Sequence, residues 1–216
     1  MLNNYVCDAS GNGRVAPFPF KFPDRGCSAF DVRNRIVASV LYELPIGPGK
    51  LLKTNRAVGE FVGGWQIGGI FTHQTGAVGT PLLGVDNSSI ASPFGAFDRP
   101  NLTGTSPYLT GSARSLNDWV NKLAYATPTA GTFGSMQRGS FTGPGFTNLD
   151  ASLHKAFNMP YNEKHQLAIR FEAFNSLNHP NWSIPSRNLS LQSSTFGRIT
   201  GTAPLRQLQL AAKYQF

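Results

Sequence analysis

Apolar and polar positions alternate in twos through five stretches of this 216-residue chain. In "DVRNRIVASVLYE", Ile36, Ala38, Val40 and Tyr42 fall on one side, and Arg35, Val37, Ser39 and Leu41 on the other. Successive side chains of an extended backbone point to opposite faces, so a period of two predicts a strand, closed here by the breaker "LPIGPGK". "EFVGGWQIGGIFTHQTG" predicts a second, with Trp65, Ile67, Gly69 and Phe71 opposite Gln66, Gly68, Ile70 and Thr72. Its paired glycines weaken the intrinsic strand preference, so tertiary contacts must hold it. "TNLDASLHKAF" sets Leu149, Ala151, Leu153 and Phe157 against Asn148, Asp150, Ser152 and His154. "KHQLAIRFEAFN" sets Leu167, Ile169, Phe171 and Ala173 against Gln166, Ala168, Arg170 and Glu172. The last, "LRQLQLAAKYQF", divides Leu208, Leu210, Ala212, Tyr214 and Phe216 from Gln207, Gln209, Ala211, Lys213 and Gln215.

Elsewhere the alternation stops. Residues 1–30 read as a loop, and 76–146 fill with Gly, Pro, Ser, Thr and Asn, a length that in a compact domain is usually functional or disordered. Within it, "SLNDWVNKLAYA" places Leu116, Trp119, Val120 and Leu123 at helical spacing with Ser115 as a cap, which predicts a short amphipathic turn. Residues 177–204 read as a loop with one short strand.

The strands have one apolar and one polar face, as in a barrel with lipid outside and a polar lumen. A half-exposed soluble sheet gives the same signal, and a soluble or secreted β-rich binding or structural module that assembles through its sheet edges is the alternative reading. Length favours the barrel: runs of roughly 11 to 14 residues suffice to cross a bilayer at a tilt. Short connections (44–59, 158–163) alternate with long ones (76–146, 177–204), which assigns the short ones to the periplasmic side and the long ones outside. Aromatic residues near the strand ends, Tyr42, Phe61, Phe157, Phe174, Tyr214 and Phe216, suit interfacial girdles. The expected fold is therefore all-β: an antiparallel up-and-down sheet, a partial segment of a transmembrane β-barrel with long external loops. The whole of 1–216 counts as a single partial domain.

Composition narrows the picture further. Only 14% of residues are charged, and Gly (23) and Pro (15) are abundant, which argues for many turns and few long helices. No run of about 18 apolar residues is available for a membrane helix. The net charge of +8 comes from 19 Lys and Arg scattered singly, which argues against a nucleic-acid partner. The N-terminal "MLNNYVCDASGNG" lacks the basic and apolar segments of a secretion signal. Cys7 and Cys27 either close a loop in an oxidising compartment or are two unrelated thiols.

Candidate chemistry is sparse. His73, His154, His165 and His179 lack metal-ligand spacing, although Asp150 and His154 share a strand face and His165 is a candidate to lie across the hairpin from them. Arg170 and Glu172 share a polar face, with Asp150 or Lys155 as cross-sheet partners. "GSFTG" around Ser140 is not a nucleophile elbow, and "GTFGSMQRGSFTGPG" lacks a phosphate-loop lysine. The sequence thus assigns no catalytic residue, no metal and no cofactor. Tyr108, Trp119, Phe133 and Arg138 in the 76–146 loop are the candidate ligand contacts, aromatic and Arg side chains being common at binding surfaces.

Six ordered blocks carry a resemblance: "FDVRNRIVASVLYELPIGPGK", "GGWQIGGIFTHQTG", "DRPNLTG", "GPGFTNLDASLHKAF", "RFEAFNSLNHPNW" and "STFGRITGTAPLRQLQLAAKYQF". Together they resemble the C-terminal barrel region of Oar-like TonB-dependent outer-membrane receptors, from about residue 30 onward. The resemblance implies a bacterial outer-membrane location, a barrel of about 22 strands closed by a plug, and non-catalytic uptake of a bulky nutrient. It implies as partners the outer-membrane lipid, the barrel assembly machinery, and the rest of the receptor (plug and missing strands) or, failing that, self-association. Tyr214 and Phe216 look like the aromatic-ended signal read by that machinery. Plug, TonB-contacting box and β-sandwich are not recognisable here, so the chain is expected to be a fragment or truncated reading frame.

Overall fold

All five alternating stretches pair into one antiparallel sheet in the computed structural model, which describes residues 26–28, 30–46, 50–52, 56–89, 98–159, 162–185 and 193–216. In chain order the elements are β1 (Arg35–Glu43), a short helix α1 (Arg56–Val62), β2 (Gln66–Gln74), and the two-residue strands β3 (Val78–Gly79), β4 (Asn101–Leu102), β5 (Tyr125–Ala126) and β6 (Phe141–Thr142). Then follow β7 (Phe146–Met159), β8 (Asn162–Phe174) and β9 (Gln207–Gln215). The large sheet has the order β1-β2-β7-β8-β9, with β3-β6 and β4-β5 as separate small pairs. The chain divides into two units. The sheet unit spans 35–74, 146–181 and 203–216, and the second, here called the connection unit, takes 75–145, 182–202 and the described residues before Arg35.

Cross-strand partners share a face, so the register tests whether the five apolar stripes coincide. Ala38, Val40 and Tyr42 lie opposite Phe71, Gly69 and Ile67. Phe71, Gly69 and Ile67 lie in turn opposite Leu149, Ala151 and Leu153. Leu153 and Phe157 meet Phe171 and Leu167, and those two meet Leu210 and Tyr214. A single apolar face therefore crosses every strand. On its reverse, Ser152 and His154 lie opposite Glu172 and Arg170, which lie opposite Gln209 and Ala211. That polar face is diluted at β1 and β2, where Val37, Leu41 and Ile70 also point.

The few polar side chains of the apolar face are confined toward strand ends. His73 bonds Thr147 through Nδ1 (2.9 Å), and His165 bonds the Tyr214 hydroxyl (2.7 Å). Lys155 is the exception in charge but not in environment: it is 3% exposed, with its ammonium 4.5 Å from the centre of the Phe157 ring and 5.7 Å from that of Trp65. Cation–π attraction partly replaces the lost hydration. Tyr42, Trp65, Phe157, Tyr214 and Phe216 form an aromatic row at one end of this face, with Trp65 against Phe157 (6.4 Å) and Tyr214 stacked on Phe216 (6.3 Å). Phe174 does not belong to that row. Opposite Gln207, it lies on the polar face at the other end of β8, because its position is one residue out of phase with Phe171 and Ala173.

Two local expectations are corrected. The stretch before Trp65 is not strand: α1 runs to Val62, and Gly64 at φ +74 turns the chain into β2, the left-handed backbone that commonly stops a helix. Among its described residues, the 177–204 segment holds only an isolated bridge between Trp182 and Thr202. Most of the 1–30 loop, with Cys7, lies outside the described residues, and so does any bond from it to the half-buried Cys27.

Candidate ligand cleft in the connection unit

The segment that sequence periodicity left blank builds a core of its own. Leu83, Val120, Ala124, Tyr125, Met136, Phe141 and Phe196 are buried together, with Trp119 and Ile184 packed against them. Tyr125 meets Phe196 edge to face at 5.8 Å. Gly79 is required here, because a Cβ at that position would stand 2.2 Å from the ring of Phe141, itself fully buried. Asp98, 1% exposed, accepts from the Ser88 amide (2.8 Å) and hydroxyl (3.2 Å), while its own carbonyl takes the Leu83 amide (2.7 Å). Such bonds satisfy a carboxylate that burial would otherwise penalise.

The predicted amphipathic turn does not form. Ser115 does accept from the Asp118 amide (3.2 Å), but within a tight turn, and the helical pieces nearby are 3-10 turns at Gly111–Ala113 and at Lys122–Ala124, the latter capped by Asn121. Val120 is buried while Leu123 is 77% exposed, so the two do not share an inward face. The bond from the Trp119 amide to the Gly197 carbonyl (3.0 Å) helps to hold this stretch extended.

Four candidate contact residues were assigned by sequence, and the structure gathers only some of them. Tyr108 and Trp119 converge on Thr142: the Tyr108 hydroxyl lies 3.4 Å from its Oγ1, and the Trp119 indole N–H donates to its carbonyl (3.1 Å). The Arg114 guanidinium sits 3.9 Å over the Trp119 ring. Arg138 lines an open cleft of about 540 Å³ with Thr105, Ser106, Ser135, Gln137 and Ser140. Neither Tyr108, Trp119 nor the half-buried Phe133 lines it.

The cleft's hydroxyls were missed because "LTGTSP" and "SMQRGS" read only as turn-formers. Their one legible signal is the recurrence of small polar residues between glycines on two segments that the fold brings together. Ser140 connects the cleft to the core through the Tyr125 hydroxyl (3.0 Å). Burial pushes the Tyr125 phenol up to about 12, the Ser140 bond opposing the rise and Tyr108 adding to it, so Tyr125 stays neutral. Among the described residues, the wall combines one guanidinium with hydroxyls and an amide and contains no histidine or carboxylate. It can hydrogen-bond a polar or anionic group; it offers no nucleophile–base pair.

The polar face of the sheet likewise separates the residues proposed for a joint site. Asp150 and His154 are on it, whereas His165 is on the apolar face beside Tyr214, one residue out of phase. Asp150 instead accepts from the Asn148 amide and the Asn175 backbone N–H, both at 2.9 Å. Arg170 pairs with its own neighbour Glu172 (2.6 Å), and Lys155 lies on the reverse face from both. Among the described residues, no three His, Cys, Asp or Glu side chains cluster to hold a metal.

The family model described as "Outer membrane beta barrel domain" matches residues 2–209. The chain belongs to the outer membrane beta barrel domain family. No curated protein and no solved structure matches it significantly. For this barrel family the location is the bacterial outer membrane, and a continuous apolar face is what the outer wall of such a barrel requires. That assignment explains exposures that would be a liability in water, such as Leu210 at 74% and Val40 at 62%.

Proposed function

We propose that this outer-membrane barrel chain forms a sector of a TonB-dependent receptor, contributing lumen wall and external loops to the uptake of a bulky nutrient without catalysis. The observation that carries the reading is the coincidence of a lipid-compatible face crossing all five strands with a reverse that is polar on β7, β8 and β9, bearing Asp150, His154, Arg170, Glu172 and Gln209. A polar lumen beside an apolar exterior is what a solute path needs. The long connections fold around their own core and present a polar cleft, which suits capture of a ligand before import. In this reading Arg138 in the cleft, with Tyr108, Trp119 and Phe133 elsewhere in the connection unit, contacts the ligand. Tyr214 and Phe216, the latter 93% exposed, serve recognition by the barrel assembly machinery. Plug and further strands are the remaining partners.

The test is uptake by cells that carry the chain in its native gene context. Uptake that collapses when the proton-motive force is dissipated, and weakens in the Arg138→Ala variant, supports an energised receptor. Uptake that persists without the proton-motive force points to a passive pore and defeats the proposal.

A further inference from the structure

The β1–β2 connection carries an apolar surface that the sheet does not account for. Helix α1 places Val58, Phe61 and Val62 at i, i+3 and i+4, one stripe of the helix. In a helix packed for water that stripe turns inward, yet here Val58 is 50%, Phe61 74% and Val62 42% exposed. The side turned inward is glycine: Gly59 and Gly63 are buried, joined by the Gly63 N–H to Gly59 carbonyl bond of 2.8 Å. Before the helix, Leu51 and Leu52 are exposed as well, tethered by the bond from the Leu52 amide to the Pro45 carbonyl (3.0 Å). Between them and β1, Lys50 pairs with Glu43.

This surface is continuous with the aromatic row of the lipid-facing side. Phe61 lies 6.4 Å from Phe157, and the Trp65 indole N–H donates to the Phe61 carbonyl (2.9 Å), so the helix end is fastened to that row. Trp65 and Tyr42 are residue types that settle at a membrane–water boundary, having an apolar ring and one polar atom. An exposed apolar stripe attached to such a belt, with a lysine at its border, has the make-up of an interfacial anchor.

We propose that α1 and Leu51–Leu52 insert into the headgroup–acyl boundary of the outer-membrane phospholipid leaflet, at the end of the barrel where the short connections lie. This rests on the reading of the apolar face as lipid-facing. The helix extends the contact between barrel and leaflet beyond the strand ends and covers the approach to the Trp65–Phe157 pair that accompanies Lys155.

The test uses outer membranes from producing cells, with the full chain, both native cysteines replaced by serine, and one cysteine at a time labelled with an environment-sensitive fluorophore. The probe positions are Phe61→Cys, Leu153→Cys in mid-strand on the apolar face, and Gln209→Cys on the polar face. Lipids spin-labelled near the headgroup and, in a parallel sample, deep in the acyl chain to reach position 153 are added, then iodide. Insertion predicts that these lipids quench the probe at 61 by at least about twofold while iodide does not. If 153 is quenched but 61 is open to iodide, the helix lies in water and this proposal alone fails. If 61 is shielded from both quenchers, a protein surface covers it, and the proposal again fails. If 153 is not quenched, or 209 is quenched as strongly as 153, the lipid-facing assignment falls and takes the proposal with it.

Discussion

A charge placed on either face of β7 separates the two sides of the sheet most sharply. Leu153 stands near the middle of this 14-residue strand, on the apolar face, between Ile67 of β2 and Phe171 of β8. Leu153→Arg puts a guanidinium at hydrocarbon depth, which costs roughly 2–4 kcal/mol at the midplane of a barrel. At about 1.4 kcal/mol per factor of ten, that is roughly a 30- to 700-fold loss in the folding equilibrium constant. Ser152 is the adjacent residue with the opposite direction, between Gly68 and Glu172. Ser152→Arg brings a cation beside the Glu172 carboxylate in a wet environment, and its expected effect is within about 1 kcal/mol of zero. Urea titration of each variant after folding into phospholipid vesicles, read by the gel mobility of unheated samples, measures the difference, and outer-membrane recovery from cells provides a parallel reading. Equal costs at 152 and 153, or a larger cost at 152, would refute the face assignment and the register on which it stands.

Two further outcomes concern the connection unit. Gly79→Ala sets a methyl 2.2 Å from the buried Phe141 ring, which must move; a loss of about 1–3 kcal/mol is expected, seen as faster proteolytic nicking within 76–145 while the strands stay protected. Unchanged nicking would show that the Phe141 site is slack. Tyr125 has its folded pKa raised to about 12 from 10, so its contribution is complete below pH 10 and drains away as pH rises from 10 through 12. The ceiling is about 2–3 kcal/mol, two units of displaced titration. Protease protection of the unit should fall across that window and do so less in Tyr125→Phe; an identical alkaline profile in the variant would assign the effect elsewhere.

The sheet was legible because its information is local and periodic. Ala38, Leu149 and Leu210 announce their face by alternation alone, and the register then aligns stripes that had been read one strand at a time. The helix at Arg56–Val62 was hidden by the same means: Phe61 and Val62 run directly into the β2 alternation, and a seven-residue helix offers too few turns for its period to show. The connection unit was illegible for a different reason. Its core is assembled from Leu83, Val120, Met136, Phe141 and Phe196, single residues dispersed over more than a hundred positions, so no window contains a pattern. Arg138 was named from its residue type alone and the fold places it in the cleft wall, whereas Ser106 and Ser140 gain meaning only from the cleft they share.

The order of strands also has a direction. Each neighbour in β1-β2-β7-β8-β9 is antiparallel, so β1 and β9, the two open margins among the described residues, run the same way. Suppose a second copy, facing the same side of the membrane, laid its β1 along this β9: the seam would be parallel, unlike the antiparallel walls of bacterial outer-membrane barrels. A two-fold axis along the membrane normal fares no better, because it preserves up and down and makes β9 meet β9 in parallel too. Copies of this sheet therefore cannot complete one another as teeth of one gear would. Whatever bridges the gap from β9 back to β1 must supply an odd number of strands, and the five-stranded sector behaves as a polarised arc that accepts closure only by an arc of like parity.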